Sequence, residues 1–147
     1  MQYRIERVGE QEYPLFDDML FWRENGFERS PAVSSVSEEV LSELQNPNLY
    51  LCAARAEGRY VGWISMVYIP KVSRWKHGHI YVDELWVASE FRRQGIAKAL
   101  LAEADELQRK LNAVGIRLYV NVQNEAAREL YKACGSADSG QAFFMEK

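Results

Sequence analysis

Two adjacent carboxylates stand ahead of a basic, glycine-containing turn in the segment 83–98, which reads DELWVASEFRRQGIAK. A carboxylate can accept a proton from an ammonium group or hold the cation. The free amides at a helix start bind anions such as phosphate. Gly95 and Ala97 leave the backbone accessible to a ligand, and Arg92 and Arg93 add positive charge. The segment therefore predicts a phosphate or pyrophosphate site next to an acidic group.

The turn has an alternative interpretation as a basic helix start whose glycine is incidental. Arginines at a helix N-terminus oppose the helix dipole, so they need a local reason such as a bound anion. Two common phosphate motifs are excluded, because no Gly-Lys-Ser/Thr is present here and no further glycines complete a dinucleotide-binding pattern.

Asp83 and Glu84 are the candidates for contact with a cationic group. They are neighbours in a run of strand-forming residues, and successive side chains of a regular strand point to opposite faces. Only one of them would then face a given ligand, unless a β-bulge intervenes. The alternative for each is a polar residue satisfied at the end of a sheet.

Histidines and cysteines give weaker signals. His77 and His79 alternate around a glycine without an evident third ligand, so we expect no metal site. Cys52 and Cys134 lie far apart and form no Cys-x-x-Cys motif. This predicts two buried free thiols and a cytoplasmic location.

Charge and length exclude other classes of protein. The 147 residues carry a net charge of −3, which argues against a nucleic-acid partner. The longest apolar run, Tyr60–Ile69, is about half of a membrane span, so we expect no membrane segment. Residues 1–50 carry 10 acidic and 4 basic side chains, whereas residues 51–147 carry 11 and 14. The asymmetry suits a domain that meets a cation with its N-terminal part and an anion with its C-terminal part, although two solvated faces also explain it.

Apolar periodicity predicts one α+β domain over residues 1–147. A hairpin and a strand–helix–strand crossover give a mixed sheet. A capping box of Ser35 and Glu38 starts the second helix. The expected helices are Gln11–Glu24, a short one ending near Leu44, Arg92–Leu111 and Asn124–Cys134; the expected strands are 3–7, 49–55, 60–68, 80–87, 116–122 and Ala142–Glu146.

The basic turn resembles a known loop. Arg92-x-x-Gly95-x-Ala97, directly after a strand, follows the pattern [RQ]-x-x-G-x-[GA]. This pattern resembles the acyl-CoA loop of the GNAT superfamily of N-acyltransferases. A second block after the next strand resembles that family's N-x-x-A-x-x-x-Y-x-x-x-G helix, with Asn124, Ala127, Tyr131 and Gly135 at the fixed positions.

The order of predicted elements also resembles the family over nearly the whole chain. The resemblance implies a central, mixed, mostly antiparallel sheet flanked by helices, with a parallel strand pair that splays apart at the acyl-CoA cleft. It implies acetyl-CoA as cosubstrate, no metal, and acetyl transfer to an amine. The residues it implies for acetyl-CoA are Leu85, Trp86, Val87, Arg92, Arg93, Gln94, Gly95, Ile96, Ala97, Lys98, Asn124, Ala127 and Tyr131.

The resemblance also suggests catalytic roles. The backbone N–H of Leu85 would polarise the thioester carbonyl, and Tyr131 would protonate the departing thiolate. Asp83 stands where several amine-acetylating members carry an acid, so it is preferred over Glu84 as base or amine anchor. Trp22, on the first helix, would wall the acceptor site together with these two acids. Asn124 fits either a pantetheine contact or a helix N-cap.

The acceptor stays open among a small cationic amine, a polyamine, an aminoglycoside-like amine, and a peptide lysine or N-terminus. Two alternatives differ in class, namely a non-catalytic acyl-CoA-binding sensor and a purely structural domain. A monomer and a homodimer are both compatible with the sequence.

Overall fold

The computed structural model describes residues 1–29, 36–72 and 78–147. Within these residues, five strands and four α-helices follow in the order β-α-α-β-β-β-α-β-α, an α+β arrangement. The strands are β1 (Arg4–Arg7), β2 (Leu49–Ala56), β3 (Arg59–Ile69), β4 (His79–Val87) and β5 (Ile116–Leu118); the helices are α1 (Tyr13–Asn25), α2 (Glu38–Leu44), α3 (Ile96–Leu111) and α4 (Glu125–Ala133), with a short 3-10 turn at Ser89–Phe91.

The strands lie in one sheet in the order β1-β2-β3-β4-β5. The first four are antiparallel to their neighbours, and β5 pairs parallel to β4. The expected mixed, mostly antiparallel sheet with one parallel pair is therefore confirmed. The parallel pair is short, because β5 opposes β4 only over Ile80–Val82.

The two faces of the sheet carry separate cores. On one face, Ile64, Met66, Ile80 and Val82 are buried together with the apolar stripe of α3. On the other face, Trp63 is buried with residues of α1. We call these the α3 face and the α1 face. Tyr131 of α4 packs against the core of the α3 face.

Local chemistry explains the two main helices. The stripe that the sequence predicts on α3 is buried at Ile96, Leu100, Ala104 and Leu107, which holds the helix against the sheet. Helix α1 has a proline in its first turn and ends at Gly26, which adopts a left-handed conformation with φ 77°.

Two predicted boundaries and one predicted strand were wrong. Helix α3 begins at Ile96 rather than Arg92, because Arg93 and Gly95 have positive φ values of 61° and 84° and cannot continue a right-handed helix. Strand β5 ends at Leu118 rather than 122, because the neighbouring β4 departs from the ladder after Val82. Residues 142–146 form no strand; they have no partner strand, and Phe143 is 96% exposed.

The cap of α2 also differs from the expectation. Ser37, not Ser35, accepts the amide of Val40 at 3.2 Å and caps the helix, while Ser35 lies outside the described residues. Both cysteines are free; Cys52 is buried and Cys134 is partly exposed, so the prediction of two buried thiols holds for Cys52 alone. Burial raises the pKa of the Cys52 thiol to about 11.

Candidate functional site

A β-bulge in β4 decides where the two adjacent acids point. Glu84 is the partner of Ser65 and Val82 is the partner of Met66, so Asp83 is an extra residue without a partner on β3. Val82 and Leu85 both pack against the core of the α3 face. Two residues rather than one separate them, and therefore both carboxylates lie on the α1 face. The bulge thus allows both carboxylates to face the same ligand, which a regular strand would not.

The two acids have different surroundings. Glu84 accepts a hydrogen bond from the guanidinium of Arg23 on α1, with Nη1 and Oε2 3.4 Å apart. Asp83 is exposed, and no ion pair is recorded for it within the described ranges. Burial raises the pKa of the Tyr81 hydroxyl, and the charge of Asp83 raises it further. Asp83 is therefore the carboxylate left available to a cationic ligand.

Aromatic rings form the wall beside the acids on the α1 face. The ring of Trp22 meets the ring of Trp86 edge-on, with centroids 6.0 Å apart. Trp86 in turn lies 5.3 Å from Trp63. The guanidinium of Arg59 lies 4.8 Å from the ring centroid of Trp22, so one face of this ring is covered by a cation of the protein itself.

The C-terminal half of β4 has an open edge towards β5. Strand β5 ends opposite Val82, so Leu85–Val87 extend beyond it. The amide of Ala88 donates to the carbonyl of Val61 on β3 at 2.8 Å. Since donors alternate along an antiparallel strand, the amide of Leu85 points away from β3, into the open edge. The carbonyl of Val87 points the same way and accepts a hydrogen bond from Nε of Arg92 at 2.9 Å.

The start of α3 leaves amide donors free. Gly95 is the N-cap and has no side chain to accept from the first turn, so the amides of Ile96, Ala97 and Lys98 have no intrahelical partner. The first intrahelical bond runs from the amide of Ala99 to the carbonyl of Gly95. Arg93 and Gln94 are exposed beside this turn. The arrangement fits a pyrophosphate, because free amides, the helix dipole and nearby positive charge act together.

Helix α4 carries most of the second sequence block. The side chain of Asn124 accepts the amide of Ala127 at 3.1 Å, so Asn124 is the N-cap of α4, one of its two expected roles. Tyr131 packs against the same apolar core as Leu85 and Ala97. Burial raises the pKa of the Tyr131 hydroxyl above its usual value.

Sequence reasoning missed the residues that reach the acids from other elements. Arg23 is 61 positions from Glu84 and gives no local signal. Tyr119, which follows β5 and is 75% exposed, meets the ring of Tyr81 edge-on with centroids 5.9 Å apart, two positions before Asp83.

The described ranges contain neither a candidate metal site nor a candidate membrane-spanning helix. His79 is buried, and burial lowers its pKa; His77 lies outside the described residues. In residues 1–29, 36–72 and 78–147 no group of three or more His, Cys, Asp or Glu residues could hold a metal ion. No helix of those ranges is long and apolar enough to span a bilayer.

Comparison with known proteins identifies the family. The profile of the acetyltransferase (GNAT) family matches residues 13–136, which include the bulge, the turn before α3 and Tyr131. The chain belongs to the acetyltransferase (GNAT) family. Members of this family are enzymes that use acetyl-CoA, and the resemblance seen in the two sequence blocks is confirmed.

The similar proteins are named for different acceptors. The chain is 29% identical over 120 residues to a thialysine N-epsilon-acetyltransferase of Bos taurus; the match covers 82% of this chain and 65% of that protein. Its fold is similar to that of an aminoglycoside acetyltransferase from an uncultured soil metagenomic sample, with a TM-score of 0.82, 21% identity and coverage of 99% and 95% of the two chains.

A third relative was solved with both substrate halves joined. This is AAC(6')-Iy in complex with the bisubstrate analogue CoA-S-monomethyl-acetylneamine, with a TM-score of 0.79, 15% identity and coverage of 100% and 99%. At these identities the two structural likenesses show the fold. The present chain spans about two thirds of the length of the bovine relative.

Proposed function

We propose that this GNAT protein transfers an acetyl group from acetyl-CoA to the primary amine of a small cationic acceptor, by direct attack in a ternary complex. One structural arrangement carries the proposal. The open edge of β4 lies between the start of α3, which has no side-chain cap, and the bulge that places Asp83 and Glu84 on the α1 face. The name of the bovine relative, a thialysine N-epsilon-acetyltransferase, supports a small amine, whereas the similar folds include both aminoglycoside acetyltransferases and a ribosomal-protein-alanine N-acetyltransferase.

The residues present fit acetyl-CoA. The free amides of Ile96, Ala97 and Lys98 suit its pyrophosphate. The open edge at Leu85–Val87 suits its pantetheine arm, which would add to β4 like a short strand. When bound, the cosubstrate supplies the activated acetyl thioester. Arg92 occupies the Val87 carbonyl without a ligand, so this contact must open for the arm to pair there.

The acceptor must lose a proton before it can attack. A primary ammonium has a pKa near 10.4 and is neutral in about one molecule in 2,500 at pH 7, which corresponds to about 4.6 kcal/mol. Asp83 is exposed on the α1 face and is the more available of the two acids, so it holds the ammonium and accepts its proton, directly or through water. Glu84 adds negative charge that Arg23 partly offsets.

Two further groups complete the reaction. The amide of Leu85 donates to the carbonyl oxygen on which negative charge develops. The Tyr131 phenol, whose pKa burial raises further, is protonated at neutral pH and gives its proton to the departing thiolate. The attacking nitrogen releases its remaining extra proton to water, and Tyr131 regains a proton from the same solvent.

The experiment is acetyl-CoA turnover, followed by release of free thiol, against spermidine, thialysine, aminoglycosides, simple alkylamines and lysine peptides. Turnover of a small amine supports the proposal, and turnover of peptides alone contradicts the acceptor class. If acetyl-CoA stabilises the protein without turnover of any amine, the non-catalytic sensor becomes the better interpretation.

A further inference from the structure

A cavity opens on the α1 face beyond the two acids. Its volume is about 430 Å³. The end of α2 and the loop after it form one wall, and β2 and β3 form the floor. The lining residues are Glu43, Asn46, Asn48, Leu49, Val67, Tyr68, Ile69 and Pro70.

The register of the sheet places this cavity next to Asp83. Leu49 of β2 pairs with Val67 of β3, and Val67 pairs with Tyr81 of β4, so the three residues form one row across the sheet. Tyr81 is two positions before Asp83 on the strand. Neighbouring strands are about 4.8 Å apart and residues about 3.3 Å apart along a strand. The floor at Val67 therefore begins roughly 8 Å from the Asp83 backbone.

The side chains of the floor share the face of the acids. Trp63 lies in the core under α1, and Ser65 and Val67 follow it at intervals of two along β3, so they point to the same face. Leu51 packs against that core as well, and Leu49 lies two positions before it. The cavity and the carboxylates are thus open to the same side of the sheet.

The cavity combines an apolar floor with an acidic wall. Leu49, Val67 and Ile69 supply apolar surface. Glu43 is exposed, and no ion pair is recorded for it in the described part of the chain. Its charge is felt nearby: burial raises the pKa of Tyr13, and Asp17 and Glu43 raise it further. In the loop that forms this wall, Asn46 Oδ1 accepts the amide of Asn48 at 2.9 Å.

We propose that this cavity is a second acceptor subsite, which binds a further ammonium group of the acceptor at Glu43 while its carbon spacer lies on the apolar floor. The inference rests on the proposed function and narrows the acceptor to amines that carry two cationic groups. Charge complementarity selects this occupant, because Asp83 and Glu43 are both exposed acids and the cavity that Glu43 lines has an apolar floor of Leu49, Val67 and Ile69.

The test compares monoamines with α,ω-diamines of equal carbon number, from four to eight carbons, in the wild type, Glu43→Gln and Glu39→Gln. Glu39 is also an exposed acid of α2 but does not line the cavity, so it is the matched control. We expect the wild type to prefer diamines, with an optimum at one chain length. Glu43→Gln should raise KM for the best diamine about five-fold, while kcat and the monoamine constants stay unchanged.

Two outcomes overturn the subsite while leaving the proposed function intact: equal turnover of monoamines and diamines, or equal effects of the two substitutions. If no amine is acetylated, the proposed function fails, and calorimetric titration of the diamines into the CoA-saturated protein decides the subsite separately. Binding that Glu43→Gln weakens and Glu39→Gln does not would support it, and absence of binding would overturn it.

Discussion

Arg23 pairs with Glu84 across the α1 face, with its Nη1 3.4 Å from Oε2 of the carboxylate, while neighbouring Asp83 has no recorded ion pair within the described ranges. Both partners are about half exposed, so the pair contributes little to stability. Its effect is on the site: it separates two chemically similar acids into one that is partly neutralised and one that is available.

Replacing Asp83 with asparagine should therefore lower kcat/KM more than replacing Glu84 with glutamine. Asp83→Asn removes the base and the amine anchor, and we expect kcat/KM for the best amine to fall about 100-fold or more. Glu84→Gln should lower it less than about ten-fold, because Arg23 already offsets that charge. Steady-state kinetics on both variants measures the difference, and a reversed order would assign the base to Glu84.

Removal of Arg23 should favour cationic acceptors. In Arg23→Gln the charge of Glu84 is no longer offset, so KM for the amine should fall about two- to five-fold with kcat nearly unchanged. The effect should shrink at high salt, since the charges are exposed. Arg4→Gln on β1 serves as the control, because Arg4 is also exposed but pairs with Glu6, away from the acids. An unchanged KM would remove Arg23 from the acceptor site.

A charged side chain at Gly95 should abolish cofactor binding. Glutamate there places negative charge beside the free amides of α3 and strains a residue with φ 84°. Acetyl-CoA at 100 times its Kd should stabilise the wild type by about 2.7 kcal/mol, and Gly95→Glu should lose this stabilisation in thermal unfolding. Gly58→Glu controls for strain, because Gly58 has φ 78° in the β2–β3 turn. Normal stabilisation of Gly95→Glu would refute the loop assignment.

Loss of the Tyr131 hydroxyl should affect turnover more than binding. We expect Tyr131→Phe to lower kcat about 100-fold, with a much smaller change in acetyl-CoA affinity. Since burial raises the Tyr131 pKa, the wild-type rate should not lose this acid below the ordinary phenol pKa of about 10. A pH–rate profile and calorimetry check both points, with Tyr50→Phe as control. An unchanged kcat would exclude Tyr131 from the mechanism.

The hydroxyl of Tyr60 donates to Glu6 at 2.7 Å and should make stability depend on pH. Burial favours the neutral form of Glu6, but the Tyr60 bond and the charges of Arg4 and Arg55 outweigh it and lower the pKa of this carboxyl. The resulting stability is present above the unfolded carboxyl pKa and is lost as pH falls through the lower folded value.

Tyr60→Phe should lower the free energy of unfolding by about 1–2 kcal/mol at pH 7. The cost should shrink as the pH falls through the lowered pKa of Glu6, because the bond from Tyr60 to a protonated carboxyl is weaker. Urea unfolding at pH 7 and at pH 3 measures both values. As a control, Tyr119→Phe at an exposed position should leave the free energy of unfolding unchanged at both pH values. An equal cost of Tyr60→Phe at pH 7 and at pH 3 would contradict the role of the Glu6 charge.

Local patterns in the sequence determined the family of the protein and the position of the candidate acetyl-CoA loop. The stripe of α3, the small residues after Arg92 and the block from Asn124 to Tyr131 act through neighbours a few positions away, so they are readable without a structure. The same locality explains the errors. A strand also needs a partner, and residues 119–122 and 142–146 have strand-like composition but no partner strand.

Only the tertiary structure decided how the acids are presented. The bulge at Asp83 depends on the register between β3 and β4, which fixes both carboxylates on the α1 face. The partner of Glu84 comes from 61 positions away, and the cavity beside it is bounded by three separate elements. Such features arise when distant segments pack together, so spacing along the chain does not encode them in a readable form.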